Sequence, residues 1–238
     1  MIGIHLGYRI MHNDFFRFPH TPHLLWLGDA PPRDDKILSS AEVSSLLVDE
    51  VVVEEKLDGA NLGLSLTSDR KIRAQNRGQY LLEPYTGQFI RLSSWLTLHR
   101  EALHRALKPE LILFGEWCAA RHSLGYSALP DWFLLFDVYD RNSRQFWSSS
   151  RRNALASDAG LVTVPQVFHG KTTLSALTQL VCATPSRYRA GKLEGIVIRH
   201  ENTDWCDARA KLVRPDFTQA INTHWRNRTV EWNKIKYE

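Results

Sequence analysis

Apolar and polar positions change period several times along this chain. Val51 to Glu55 opens with three β-branched residues and reads as a strand entering Lys56-Leu57-Asp58-Gly59. Ala60 to Thr67 alternates, with Leu62, Leu64 and Leu66 on one face and Asn61, Gly63 and Ser65 on the other, so a second strand is expected. Lys71–Gln75 is a third. Tyr85 to Leu107 switches to helical spacing, with Phe89, Leu92, Leu96, Leu103 and Leu107 as its apolar stripe. Further strands are expected at Leu111–Phe114, Trp132–Tyr139, Thr163–Val167, Glu194–Arg199 and Arg209–Val213. Helices are expected near Ser149–Gly160, over Leu174–Ala183, and over Asp216–Trp225 with Asp216 as its cap. Ser39 followed by Glu42 makes a capping box for a short helix. The prolines in Phe18-Pro19-His20-Thr21-Pro22-His23 hold that stretch extended, and Ala30 to Asp35 is a loop.

Short strands with irregularly interspersed helices exclude a doubly wound parallel sheet, which needs steady strand–helix alternation. The pattern implies an α+β fold with antiparallel sheets and flanking helices.

Length and composition narrow the class. The 238 residues suffice for one sizeable core, and 43% hydrophobic with 24% charged residues is ordinary for a globular protein. A net charge of +4 suits a polyanionic partner without requiring one. Cys118, Cys182 and Cys206 are scattered, which argues against a zinc site or a disulfide framework. No apolar run approaches a membrane span, and Met1–Phe18 lacks the apolar core of a secretory signal. A cytoplasmic protein is expected.

The candidate chemistry begins at Lys56. A lysine leads into a turn that glycine permits, and it becomes a nucleophile only when its proton is removed. Phe114-Gly115-Glu116 ends an apolar strand with a carboxylate, and Glu194 begins one. Arg209 and Lys211 share a strand face. Taken singly, each of these reads first as a surface turn, a solvated strand end or a basic edge; their order along the chain changes that.

In order, Lys56-x-Asp58-Gly59, Arg77, Phe114-Gly115-Glu116, Leu135-Phe136-Asp137, Glu194-Gly195 and Arg209-x-Lys211 resemble the motif series of the covalent nucleotidyltransferases. These are the ATP-dependent DNA ligases, RNA ligases and capping enzymes, with a nucleotidyltransferase (ATP-grasp-like ligase) domain. Glu55-Lys56 with Gly59 and Asn61 is most similar to the RNA ligase 2-like branch. Two positions depart from it: Asp58 stands where the phage enzymes often have histidine, and Arg209 where lysine is usual.

The resemblance implies an ATP-dependent RNA ligase that joins 3′-hydroxyl and 5′-phosphate ends through lysyl–AMP and AMP–RNA. Lys56 is the implied nucleophile and Lys211 the contact to the α-phosphate. Glu194 is the implied carboxylate for Mg²⁺ or Mn²⁺. ATP would be held by Glu54 or Glu55 at the adenine amine, Asn61 and Arg77 at ribose or phosphate, Glu116 at the ribose, Phe136 against the base, and Arg209. Arg73 is the fallback for Arg77. Lys211, Arg209 and the metal are expected to depress the Lys56 pKa. His23 is expected to be a structural loop residue, with an approach to the triphosphate as the alternative.

The implied partners are RNA ends, nicked duplexes included, and an end-healing enzyme, with no membrane. The short stretch after Lys211 leaves no room for an oligonucleotide-binding (OB) barrel, so residues 1–238 are expected to form one domain ending in a helical tail at about 216–238. In that tail, Arg226, Arg228, Lys234 and Lys236 with Trp225 and Trp232 suit either nucleic acid or packing on the core. A DNA ligase or another nucleotidyltransferase is the alternative. A binding module without turnover is a further one, which Lys56, Glu116, Glu194 and Lys211 together argue against.

Overall fold

A computed structural model describes residues 15–28, 36–220 and 230–236. The expected loop at 30–35 and the tail residues Trp225, Arg226 and Arg228 lie outside the described residues.

Two antiparallel sheets carry the fold, which is α+β as expected. The first has the order β7-β1-β8-β9, from Gln166–Gly170, Val51–Lys56, Gly195–Glu201 and Cys206–Val213. The second has the order β3-β2-β4-β5-β6, from Ile72–Gln75, Ala60–Leu66, Leu111–Trp117, Phe133–Asp140 and Gln145–Phe146.

Strand alternation explains what each sheet does. In the first sheet Val51, Val53, Ile196, Ile198, Ala210 and Leu212 point to one side. There they pack under helices α1 (Ser40–Leu46) and α5 (Leu174–Ala183), which contribute Leu46, Leu177 and Val181. The intervening residues Glu54, Lys56, Val197, Arg199, Arg209 and Lys211 face the opposite way, into a pocket. In the second sheet Leu62, Leu64, Leu113, Trp117, Phe133 and Leu135 build a core with α2 (Leu92–Leu98), α3 (Arg100–Ala106) and α4 (Ser149–Ala159). Its other face sends Asn61, Glu116 and Phe136 to the same pocket. The site therefore lies where the polar faces of two half-buried sheets converge.

Several elements differ from expectation. The single helix over 85–107 is a 3₁₀ turn at Gly87–Phe89 followed by α2 and α3, which break at His99. Buried Asp131 sets the break: it accepts from Trp95 Nε1 at 2.7 Å and pairs with His99 Nε2 at 2.9 Å. The strand expected at 163–167 runs instead over 166–170, because Pro165 has no N–H for the ladder; its carbonyl accepts from Glu55 N at 2.8 Å. Strand β6 was not anticipated; the turn before it places Arg144 at φ 60°, a conformation that composition does not announce.

Helix α6 starts at Pro215, which suits a first helical position, and runs to Ala220. Asp216 is therefore inside the first turn, where it pairs with Arg214. The capping box at Ser39 and Glu42 is present.

Thr21–Leu24 is extended, and backbone bonds from Lys211 N to the Pro22 carbonyl and from Leu24 N to the Lys211 carbonyl lay it along β9. His23 is buried at bridges to Lys211 and Ile37, with its ring edge-on to Trp26. His23 is not among the residues lining the pocket, while Thr21 is. No helix among the described residues is long and apolar enough to cross a membrane.

Candidate active site

The pocket between the sheets has a volume of about 570 Å³. Lys56, the last residue of β1, lines it. The turn that follows needs glycine: a Cβ on Gly59 would sit 2.6 Å from the Trp117 carbonyl oxygen. That close approach lets Glu116 accept from Gly59 N at 3.0 Å and ties the turn to β4. Asp58 points away from the pocket, accepting from Ser123 N and Leu124 N at 2.7 Å each.

Lys56 Nζ lies 2.5 Å from Glu194 Oε1. Burial alone would lower the lysine pKa, but Glu194, Glu116 and Asp58 outweigh it and push it up. The expected depression is therefore absent from the ligand-free site. Lys211 faces the same pocket, but Arg209 is engaged elsewhere, and three nearby carboxylates decide the balance. Burial also raises the two glutamates. The Glu116 carboxyl is pushed up to about 7, against the pull of Lys56. Glu194 is not on the pocket wall; it sits behind Lys56, 4% exposed, and its Oε2 is buried with no hydrogen-bond partner.

A bulge in β5 delivers Phe136 to the same pocket. Phe114 pairs with Asp137 and Gly115 with Leu135, leaving Phe136 without a partner across β4. A bulge re-aims its side chain. The Phe136 ring lines the pocket along with Val164 and Val197 and meets Phe18 edge-on at 5.3 Å.

A buried charge network that the sequence did not reveal holds the backbone at Phe136. Arg152 donates to the Phe136 carbonyl at 2.6 Å and to Glu54 at 2.5 Å. Arg199 pairs with Asp137 at 2.7 Å and also with Glu201. Arg209 pairs with Asp137 at 2.7 Å and lies 4.0 Å over the Phe146 ring. Arg152→Ala should destabilise the protein by about 3–5 kcal/mol, because the buried Glu54 carboxylate loses its hydrogen-bonded partner and keeps only Arg199 at 4.0 Å. Replacing Glu54 and Arg152 together by apolar residues of similar volume should cost much less. Urea midpoints at constant m-value measure both; equal losses for the single and double variants would contradict a coupled pair.

The other sequence-derived residues sort as follows. Asn61 and Arg77 line the pocket, and Asn61 Oδ1 is a buried acceptor with no partner. Arg73 is stacked 3.9 Å over Tyr80 and does not line the pocket, so of these two arginines Arg77 is the one on the pocket wall. Glu54 and Glu55 point to opposite faces of β1. The Glu54 carboxylate is committed to Arg152, while Glu55 lies on the apolar face and accepts from Arg187 N at 3.0 Å. Burial raises the Glu55 pKa. Its side chain points to the face opposite the pocket, leaving its backbone to line the wall.

Gln88, His122, Asp137 and Arg199 also line the pocket, and His122 Nε2 lies 2.7 Å from Gln88 Oε1. Asp137 and Arg199 lie in segments already singled out, but alternation counted from Phe136 or Glu194 places each on the opposite face. Gln88 and His122 sit in irregular segments and carried no signal.

The RNA ligase family model matches residues 49–213, a span that holds all the pocket residues above except Phe18 and Thr21. Solved structures of an RNA ligase from Naegleria gruberi share the fold. A mutant of that ligase with ATP and Mn aligns with a TM-score of 0.57 at 18% identity, over 75% of this chain and 54% of its own. The same ligase with pyrophosphate aligns at 0.56 and 19%, over 76% and 54%. Another of its mutants, with AMP and Mn, gives 0.56 and 18%, over 75% and 54%. The chain thus spans about half the length of the solved ligases it matches. No curated protein matches the chain.

Proposed function

The chain belongs to the RNA ligase family, and from that premise we propose that it joins RNA 3′-hydroxyl and 5′-phosphate ends with ATP, using Lys56 to carry AMP. The observation that carries this reading is the placement of Lys56. It is a half-buried lysine, held by Glu194, that lines a pocket of about 570 Å³ together with the Phe136 ring.

Lys56 Nζ attacks the α-phosphorus of ATP. An N–P bond forms, the P–O bond to pyrophosphate breaks, and the electron pair leaves on pyrophosphate. Attack requires a neutral Nζ. Glu194 Oε1 is the contacting acceptor for its proton, and weakening this ion pair lowers the lysine pKa. Phe136 stacks on the adenine, in a pocket that Val164 and Val197 also line. Asn61 Oδ1 and the Glu116 carboxyl accept from ribose hydroxyls. Lys211 and Arg77 contact phosphate; Arg209 is tied to Asp137 instead. A 5′-phosphate oxygen then displaces Lys56 from AMP, and the 3′-hydroxyl oxygen displaces AMP from the 5′-phosphorus. An enzyme leaving 3′-hydroxyl and 5′-phosphate ends would supply the substrate.

The donor set suits one hard divalent ion, Mg²⁺ or Mn²⁺. Glu194 keeps a buried, unpartnered oxygen, and among the described residues no cluster of three or more His, Cys, Asp or Glu could hold an ion alone. An ion held by one carboxylate, substrate phosphates and water fits magnesium chemistry. When bound, it supplies positive charge to the phosphate oxygens.

The test is sealing of matched nicked duplexes that differ only in the sugars of the 3′-hydroxyl strand, at several salt concentrations. RNA 3′-hydroxyl strands should seal faster, because 2′-hydroxyls and A-form geometry distinguish RNA at a nick. Equal or faster sealing of the DNA strand throughout would assign the protein to DNA joining.

A further inference from the structure

We propose that the C-terminal segment 230–236 is part of the nucleotidyl-transfer machinery as a positioning strap, acting on Lys56 through Asn233, Tyr126 and Asp58. The inference rests on the reading of Lys56 as the nucleophile.

The argument starts from the loop between β4 and β5. Residues 118–132 form no regular element, so their backbone groups need partners from elsewhere. The C-terminal segment supplies them. Ala120 bridges to Trp232 and Leu129 to Ile235. Arg121 N donates to the Glu231 carbonyl at 2.8 Å, Asn233 N to the Ala119 carbonyl at 3.0 Å, and Lys234 N to the Tyr126 carbonyl at 2.9 Å.

Asn233 is the centre of the strap. It is 5% exposed and uses both ends of its amide. Oδ1 accepts from Tyr126 N at 2.8 Å, while Nδ2 donates to the carbonyls of Cys118 at 2.8 Å and Ala120 at 3.3 Å. One side chain thus closes the loop across both its arms, which an alanine cannot do.

The loop in turn holds the nucleophile's turn. Buried Tyr126 accepts from Asp58 N at 2.8 Å through its hydroxyl. The Asp58 carboxylate accepts from Ser123 N and Leu124 N. Asp58 lies two residues after Lys56 and next to Gly59, so the loop fixes the backbone from which Lys56 projects. Trp232 anchors the strap on the main core, with the Arg91 guanidinium 4.2 Å over its ring. Trp232 is therefore a packing residue, not a free platform for a base.

A positioning role predicts a split between chemical steps. Forming lysyl–AMP needs Nζ aimed at the α-phosphorus. Sealing a strand already carrying AMP uses the 3′-hydroxyl as nucleophile and does not need that aim. In the full chain, Tyr126→Phe removes one hydroxyl, and Asn233→Ala removes the clamp. Single-turnover adenylylation should fall by about 10- to 100-fold in each, the scale of a small misplacement of a reacting group. The KM for ATP and the sealing of a pre-adenylylated nicked RNA should stay within about threefold, as expected when the lost interaction serves one transition state. Thermal melting checks that Asn233→Ala folds; Tyr126→Phe carries the test if it does not. Unchanged adenylylation in Tyr126→Phe, or an equal fall in both steps, overturns the proposal. A wild-type protein that never forms lysyl–AMP overturns the reading of Lys56 itself, and is told apart by needing no variant.

Discussion

Lys56→Ala is expected to abolish covalent capture of AMP. Wild-type protein incubated with ATP and Mg²⁺ or Mn²⁺ should retain the α-phosphate label through denaturing electrophoresis and should not retain the γ-phosphate. The bond should be released by acid and survive alkali, as a phosphoramidate does. The variant should show neither label and should not seal RNA from ATP. The expectation follows from position. Lys56 is the lysine that the β1 alternation aims into the pocket that Glu116 also lines, and its turn is fixed by the Gly59 contact with β4. Lys211 lies on β9, facing the same pocket from a different strand. Retained label in Lys56→Ala would transfer the nucleophile to another residue.

Glu194→Ala should slow both adenylylation and sealing, by about 100- to 1,000-fold, the range for loss of one electrostatic contributor to a transition state. Both steps suffer because both transfer charge onto phosphate oxygens. Glu116→Ala should instead weaken nucleotide engagement, raising KM more than it lowers kcat.

The two carboxylates also shape the pH dependence. The carboxylates around Lys56 raise its pKa in the free protein, so the attacking form is scarce at neutral pH and grows as pH rises. Wild-type adenylylation should therefore increase with pH across the neutral and mildly alkaline range. Glu194→Gln removes the largest of the upward pulls. Its ascending limb should shift to lower pH while its plateau falls. A limb that stays in place would mean that Glu194 does not set the charge state of Lys56. Wild-type rates for both steps in Glu194→Ala would make it a structural carboxylate.

How far the site could be read from sequence depended on whether a residue sits on a regular strand. Where alternation runs unbroken, it fixed both the core face and the pocket face. Leu62, Leu64 and Leu66 went inward and Asn61 went to the pocket, and on β9 Arg209 and Lys211 fell together on the pocket wall. The motif series supplied Lys56, Arg77, Glu116 and Phe136 on the pocket wall. Legibility failed where tertiary partners override local pattern. The apolar stripe over 85–107 is real, but buried Asp131 draws Trp95 and His99 together and splits the helix. Arg152 sits on a helix whose sequence offers no apolar face to announce it, yet it is 1% exposed and holds the Phe136 bulge from beneath. The commitment of Arg209 to Asp137 likewise joins residues far apart in the chain. The Asn233 clamp escaped for the same reason: an asparagine between tryptophan and lysine has no periodic signature, and its partners lie more than a hundred residues earlier.

The most direct measurement is the intact mass of the full chain after incubation with ATP and a divalent ion, followed by peptide mapping of the modified species. A single added adenylyl group, lost on acid treatment and mapped to the peptide containing Lys56 at that side chain, is the expected result. No mass increase under conditions where ATP binds, or an adenylyl group mapped to any other residue, would contradict the account.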